Sequence, residues 1–493
     1  MQEDTGFSQE RARTSSGFRW IFAGMLVVAC ALGLNAWAVW QQAVHGAVGP
    51  IVSNMQQKVE DREWLAFEMM YQYLREEYVV EPDVSVLMQG AMKGMIEALD
   101  DPRSHYYNPT QMKNQSEQSE GSYSGIGSTV LEKDGYVTLV QIYADSPAER
   151  AGLKSGDQLL EIDGVSAKGM SLDEAVSLVK GPSGTVVRLR ILRAEEAEPF
   201  DVEVVRALVE TQSVSGEMLE EGIGLITITS FTNTTGSQFG KELQRLLDAG
   251  MKGLVLDLRN NGGGTLEGLM DVANMLVPEG KVFSWTFRDR LPEDHFSSLK
   301  QRPFEVVVLI NGYSASASEV LAGALQDSGS GKLIGVRSFG KGSAQYTYRL
   351  PNLGGVSLTV SKWVTPLGRH IEGQGLEPDI KVLDPVDPLV IEKDRPIKPG
   401  QIELLQAKLQ ALGYDAPFEE VSDTEAETPS YGFSEKTVQA IREFQQDNLI
   451  YVSGALSDDT LQVLNRRCYE EIPHLDDPQK DVALEEIRKM IAP

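Results

Sequence analysis

Between residues 222 and 385, short apolar runs alternate with helical stretches, and this pattern constrains the fold more than any other feature of the chain. GIGLITITSF (222–231) reads as a strand and Thr235 to Ala249 as a helix. GLVLDLR (253–259) reads as a buried strand, Thr265 to Leu276 as a helix, FEVVVLI (304–310) as a second buried strand, and Ser318 to Gln326 as a helix. Apolar strands separated by helices of roughly 10–15 residues describe an α/β layer fold whose strands are covered on both faces. This core is expected over 209–395.

With 493 residues the chain is too long for one core, and about three to four units are expected. Residues 1–19 form a short tail carrying Arg11, Arg13 and Arg19. From Trp20 to Val44 no residue is charged, enough at roughly 1.5 Å per residue to cross a ~30 Å hydrocarbon core. The positive-inside rule then leaves the tail in the cytoplasm and exports the rest. The expectation is a single-pass anchor at 20–44 in a bacterial membrane; the competing reading is a signal peptide cleaved at Ala36-Trp37-Ala38. Residues 55–118 carry helical spacing (Trp64, Phe67, Met70, Tyr71, Leu74, Tyr78), then a second helix from Val84 to Leu99 ended by Asp100-Asp101-Pro102. These helices offer an arm for a homodimer. The polar stretch 108–120 reads as a linker or an exposed helix. Short strands and glycine turns occupy 119–208, 399–467 is an all-helical unit of three helices, and 468–493 holds a short amphipathic helix from about Asp481.

The formal net charge of −27 argues against nucleic acid, which needs a basic footprint. Cys30 and Cys468 are the two cysteines, and the five histidines show no metal-binding spacing, so no disulfide framework, metal or cofactor is expected.

Three segments carry chemistry. In Asn311-Gly312-Tyr313-Ser314-Ala315-Ser316-Ala317-Ser318-Glu319 a buried strand passes a glycine turn into a helix. Ser316 there stands at a strand's carboxyl end beside free helix N–H groups, suited to a nucleophile whose product is an oxyanion; Ser316-x-x-Glu319 is also a capping box. In Phe339-Gly340-Lys341-Gly342-Ser343-Ala344-Gln345, Lys341 and Gln345 fall on one face of an extended strand. A base at Lys341 must be neutral near pH 7, and lowering its pKa from about 10.4 to about 7 takes roughly 4–5 kcal/mol, within reach of burial. The neutral amine would take the Ser316 proton, as in Ser–Lys variants of the triad. Third, Asp257-Leu258-Arg259-Asn260-Asn261-Gly262-Gly263-Gly264 leaves a buried strand through three glycines that let backbone amides approach a carbonyl; a tight βα turn is the plainer reading, and no P-loop motif is present.

The run Ser146 to Gly164 (SPAERAGLKSGDQLLEIDG) resembles a PDZ domain, which implies that Ser124-Gly125-Ile126-Gly127 offers amides to a peptide's terminal carboxylate, as consecutive N–H groups can. LLQAKLQALGY, GFSEKTVQAIREFQ and GALSDDT resemble a peptidoglycan-binding-like domain; a plain three-helix unit would show similar spacing. Together, DLRNNGG, SASASE and GKGSAQ resemble the carboxyl-terminal processing (tail-specific) serine peptidases. The resemblance implies a crotonase/ClpP-like α/β core with an inserted, mostly β PDZ domain, Ser316 as nucleophile, Lys341 as base and Gln345 holding Lys341. It implies an oxyanion hole from Ala317 and one glycine, Gly263 or Gly262, the latter standing where many relatives have Pro. Lys180 is a candidate for PDZ gating or a plain turn charge.

The expected activity is cleavage of proteins whose free, apolar C-terminus the PDZ domain recognises, with peptidoglycan as a second partner. Two rivals are weighed. A His-based serine protease needs a His near the nucleophile, and His295 and His370 sit in polar contexts that read as surface. A non-catalytic PDZ and wall-binding adaptor predicts no need for Lys341.

Overall fold

The computed structural model describes residues 61–133, 135–196, 198–391, 397, 399–418, 433–472 and 477–492. The uncharged segment 20–44 lies outside them, and among the described residues no helix is long and apolar enough to cross a membrane. Two compact units make up the chain, one containing 61–100 with 348–356, the other 101–347 with 357–492.

The first unit carries α1 (Asp61–Glu77) and α2 (Val84–Glu97). Asp83 caps α2 by accepting from the Ser85 and Val86 amides. No α2 residue is buried, and on α1 Trp64, Met70, Tyr73 and Leu74 are exposed.

The second unit begins with β1 (His105–Tyr107) and α3 (Pro109–Glu120). The polar stretch at 108–120 is thus a helix, started by an Asn108/Gln111 capping box and ended by Gly121 at φ 67°, the left-handed stop that glycine adopts freely. The domain that follows contains β2 (Ser122–Gly125), β3 (Ser128–Lys133), β4 (Tyr136–Ile142), α4 (Pro147–Arg150), β5 (Gln158–Ile162), β6 (Val165–Ser166), α5 (Leu172–Val179), β7 (Val186–Leu192), β8 (Phe200–Val205) and β9 (Ala207–Glu210). Strands pair in the order β3-β4-β5-β7-β8, with β6 on β5, while β2 pairs with β9. Alternate residues such as Val187, Leu189 and Ile191 form a core with Leu139, Leu159 and Ala175, as period-two strands require.

The α/β core follows: β10 (Val214–Glu220), β11 (Ile223–Ile228), α6 (Thr235–Asp248), β12 (Gly253–Asp257), α7 (Leu266–Leu276), β13 (Gly280–Thr286), β14 (Glu293–Ser297), β15 (Glu305–Ile310), α8 (Ala317–Asp327), β16 (Lys332–Gly335), β17 (Ser343–Leu350), β18 (Gly354–Val364) and β19 (Ile380–Lys381). Six strands run β10-β11-β12-β15-β16-β19, parallel from β11 to β19. Leu254, Leu256, Val306, Val308 and Ile310 point to the face covered by α6, α7 and α8. Val255, Val307, Leu309 and Ile334 point to the other face, which is covered by Ala483 and Ile487.

Those two residues belong to α12 (Pro478–Ile491), after α9 (Pro399–Ala411), α10 (Glu435–Asp447) and α11 (Asp458–Glu471). The helices α9, α10 and α11 enclose their own core around Leu405, Ile441, Phe444 and Leu464. The helix expected from about Asp481 therefore starts at Pro478, and it is the second cover of the six-stranded sheet. A side chain at Gly253 of β12 would meet Ile487 at 2.5 Å, which shows how closely α12 lies on the strands.

Candidate active site

Strand β15 delivers Asn311 to the start of the serine loop, and the fully buried Asn311 side chain pins it. Its Oδ1 accepts from the Asn260 and Tyr313 amides at 3.0 and 3.1 Å, and its Nδ2 donates to Asp387 at 2.9 Å. Ser316 follows at φ 56° and ψ −114°, immediately before α8. Such a backbone in a non-glycine residue costs about 1–3 kcal/mol and persists only where its surroundings over-determine it.

Glu319 supplies that constraint. Fully buried in the first turn of α8, its carboxylate accepts from Ser316 N at 2.9 Å, Lys341 N at 2.9 Å, Gly340 N at 2.7 Å and Ser338 Oγ at 2.6 Å. The capping contact expected of Glu319 is present through the Ser316 amide, and the same carboxylate also holds the Lys341 segment. Burial pushes its pKa up while these four donors pull it down. Trp363 completes the cradle, donating Nε1 to Lys341 O at 2.9 Å.

Burial holds the Lys341 amine below the ordinary lysine range, reinforced by the Arg103 charge and opposed by Glu319 and Glu372. This is the direction a neutral base needs. Gln345 donates to Ser343 Oγ at 3.2 Å and Thr359 Oγ1 at 3.1 Å, not to Lys341. Ser316, Ala317, Lys341, Gln345 and Gly263 all line one cavity of about 830 Å³. Its walls contain apolar side chains such as Phe231, Leu266, Phe283 and Trp285, and no Asp or Glu. Its cationic or titratable nitrogens are those of Lys341, Arg103 and His105.

Asn261 organises the glycine loop. Its Nδ2 donates to Ile228 O at 2.8 Å, its carbonyl accepts from Ala315 N and Ser318 Oγ at 2.9 Å each, and its Oδ1 accepts from Gly263 N at 2.9 Å. The amide of Gly263, expected with Ala317 to serve the oxyanion, is engaged by Asn261 Oδ1 in this structure. Gly263 instead gives close approach: a Cβ there would lie 2.8 Å from Ser316 Cβ and 3.0 Å from Ala317 N. Gly262 does not line the cavity. Gly264 does, with φ 146° and no room for a side chain, since a Cβ would lie 1.9 Å from Phe231 O.

Of the four residues expected to cradle a carboxylate, Ser124 and Gly125 stand in β2, paired with β9. Ile126 lines a separate groove of about 290 Å³ with Tyr123, Val130, Leu139, Val176 and Val179. Gly127, at φ 81°, packs on Ser146. Lys180 is no plain turn charge: its Nζ pairs with Glu117 Oε2 of α3 at 2.8 Å and lies 4.9 Å from the Tyr123 ring centre. Gln115 and Gln118 of that helix line the cavity that holds Ser316 and Lys341.

His370 is exposed as expected, but His295 is half-buried in β14, stacked on Phe283 at 4.4 Å. Among the described residues no group of acidic, His and Cys side chains could hold a metal ion. The sequence reading missed the second half of Glu319's task, Asn261, Trp363 and Arg103. The first two lie in motifs already singled out, so their place was marked although their partners were not.

The family model "Peptidase family S41" matches residues 222–382, "PDZ domain" 138–193, "Putative peptidoglycan binding domain" 398–464, and "Activating protease CtpB N-terminal domain" 27–110. The chain is similar to "Carboxy-terminal processing protease CtpA" of Bacillus subtilis (strain 168), 33% identical over 427 residues, 85% of this chain and 89% of that protein. It is 31% identical over 411 residues to "Carboxy-terminal processing protease CtpB" of the same organism, 81% and 84% of the two chains. With the α/β core, the PDZ domain and the C-terminal helical domain all in place, the chain belongs to the carboxy-terminal processing serine proteases of peptidase family S41.

Proposed function

We propose that this protease uses Ser316 as nucleophile and Lys341 as general base. The observation that carries this reading is the single buried carboxylate of Glu319, bonded to the backbone N–H of both residues. Lys341 takes the Ser316 hydroxyl proton as Oγ attacks the scissile carbonyl, and the ammonium returns it to the leaving amine. Water then releases the acyl group with Lys341 again as base. The amides of Ala317, at the start of α8, and of Gly264 suit the oxyanion, because the Gly263 amide is spent on Asn261. Gln345, which lines the same cavity as Lys341, holds the Lys341 amine in place during the reaction.

The apolar groove beside Ile126 selects substrates with a free, apolar C-terminus, and the Lys180–Glu117 pair ties that groove to α3, which lines the catalytic cavity. The exposed apolar faces of α1 and α2 serve homodimer formation. The chain is held to a bacterial membrane by residues 20–44, with its catalytic part outside the cytoplasm, and the helices α9 to α11 bind peptidoglycan.

The test is cleavage of an unfolded protein ending in a free apolar C-terminus, against the same protein with a charged tail. Wild type is expected to cut the first faster, while Ser316→Ala and Lys341→Ala, folded normally, cut neither. Cleavage of both substrates at equal rate refutes the PDZ assignment. Full activity in Ser316→Ala refutes the nucleophile, whereas failure of every form, wild type included, to cut either substrate favours the adaptor reading.

A further inference from the structure

A base at Lys341 must be neutral, yet an acid lies beside it. Gly342 packs so closely on the Glu372 backbone that a Cβ would meet Glu372 N at 2.4 Å. The Gly373 amide donates to Gly340 O at 2.8 Å, so the Glu372 segment is fixed along the entry to β17. A carboxylate reaching an amine in a partly buried site forms an ion pair, and a paired ammonium is a poor base.

Arg103 engages that carboxylate instead. Its Nη1 lies 3.1 Å from Glu372 Oε2 and donates to Ser343 Oγ at 2.7 Å. The two charged side chains are 18% and 27% exposed, so the pair is only partly screened by water. The Arg103 backbone is itself anchored, its N–H donating to Asp101 Oδ1 at 3.0 Å. Ser343 Oγ accepts from Gln345 as well, so the guanidinium joins the hydrogen-bond chain of β17, which begins two residues after Lys341. The charged and titratable groups around Lys341 are Arg103 from the segment before β1, Glu319 from α8 and Glu372 from the segment after Ile371; His105 of β1 lines the same cavity. Glu319, held by four donors, favours the ammonium ahead of Glu372, and Glu372 is the acid that Arg103 engages.

We propose that Arg103 is a positioning residue for the Ser316–Lys341 pair: its guanidinium keeps Glu372 from Lys341 and sets a cation beside the amine. This rests on the Ser–Lys reading above. After burial, the Arg103 charge is the next cause holding the Lys341 amine below the ordinary lysine range.

The experiment is the pH profile of kcat/KM on a tailed substrate for full-length wild type, Arg103→Gln, Glu372→Gln and the double variant, with Lys341→Ala alongside. Activity falls on the acid side as Lys341 becomes protonated. Removing the cation beside the amine and its ion pair with Glu372 both favour the ammonium, so Arg103→Gln is expected to move the acid limb up by about one pH unit or more. Glu372→Gln removes an acid and moves it down, and the double variant lies between the two singles. An unmoved limb in Arg103→Gln, or movement of both singles in one direction, overturns the proposal. Should Arg103→Gln fail to fold, the downward shift in Glu372→Gln supports it and an unmoved limb there refutes it. If Lys341→Ala matches wild type, the Ser–Lys reading falls and takes this one with it. An inactive Lys341→Ala beside an unmoved Arg103→Gln limb refutes the positioning role alone.

Discussion

Replacing Glu319 by Gln takes the charged acceptor away from two of its four donors. The carboxylate receives Ser338 Oγ and Gly340 N on Oε1, and Ser316 N and Lys341 N on Oε2. A carboxamide keeps one oxygen and turns an NH₂ group toward the other pair, so two buried donors face a donor. Each lost bond to a charged acceptor is worth about 1.5–3 kcal/mol, giving roughly 3–6 kcal/mol before any gain from not burying a charge. That gain is real, because burial already raises the Glu319 pKa, and a net loss of about 2–4 kcal/mol is expected. The strained Ser316 backbone and the Lys341 segment lose their common tether. Displacement of a reacting group by about 1 Å costs on the order of 10²-fold, so kcat should fall by that order while KM changes little. Urea unfolding followed by tryptophan fluorescence and turnover of a tailed substrate read the two effects. A Glu319→Gln enzyme with wild-type stability and kcat would refute the claim that one carboxylate sets both residues.

The positive φ of Ser316 predicts that Ser316→Gly is more stable than Ser316→Ala by about 1 kcal/mol, because only glycine sheds the strain; equal urea midpoints would argue against strain at this position. Asp477 receives both terminal nitrogens of Arg259 at 2.8 and 2.9 Å and caps α12 through Lys480 N. Asp477→Ala should therefore cost about 3 kcal/mol, whereas the exposed Asp481→Ala should stay within about 0.5 kcal/mol. Equal melting behaviour of those two variants would mean that α12 is an appendage and no part of the catalytic core.

The α/β core was legible because strands covered on both faces leave unbroken apolar runs, as Leu254 to Leu256 and Val306 to Ile310 do. Those runs also demanded a second cover. Its identity was hidden, because Ala483 and Ile487 give a weak local pattern that gains meaning only against Val255 and Val307. Motif spacing pointed to Ser316, Lys341 and the glycine run as one site, and the cavity holds Ser316 and Lys341 with Gly263 and Gly264 but not Gly262. Spacing could not decide between glycines, since that rests on the Gly263 amide meeting an Asn261 side chain two residues away. Glu319 read as a cap because capping is local, whereas its bonds to Gly340 and Lys341 span more than twenty residues. His295 read as surface because its neighbours are polar, but in β14 it pairs with Phe283 of β13 and stacks on its ring. The anchor expected at 20–44 lies outside the described residues.

His105 shares the cavity with Ser316, so the choice of base is the point to test. Cleavage of the tailed substrate measured side by side for Lys341→Ala and His105→Ala decides it. Lys341→Ala is expected to lose about 10²-fold or more in kcat, and His105→Ala to stay within about threefold, less than about 1 kcal/mol. An active Lys341→Ala beside an inactive His105→Ala would make histidine the base and contradict the Ser–Lys account.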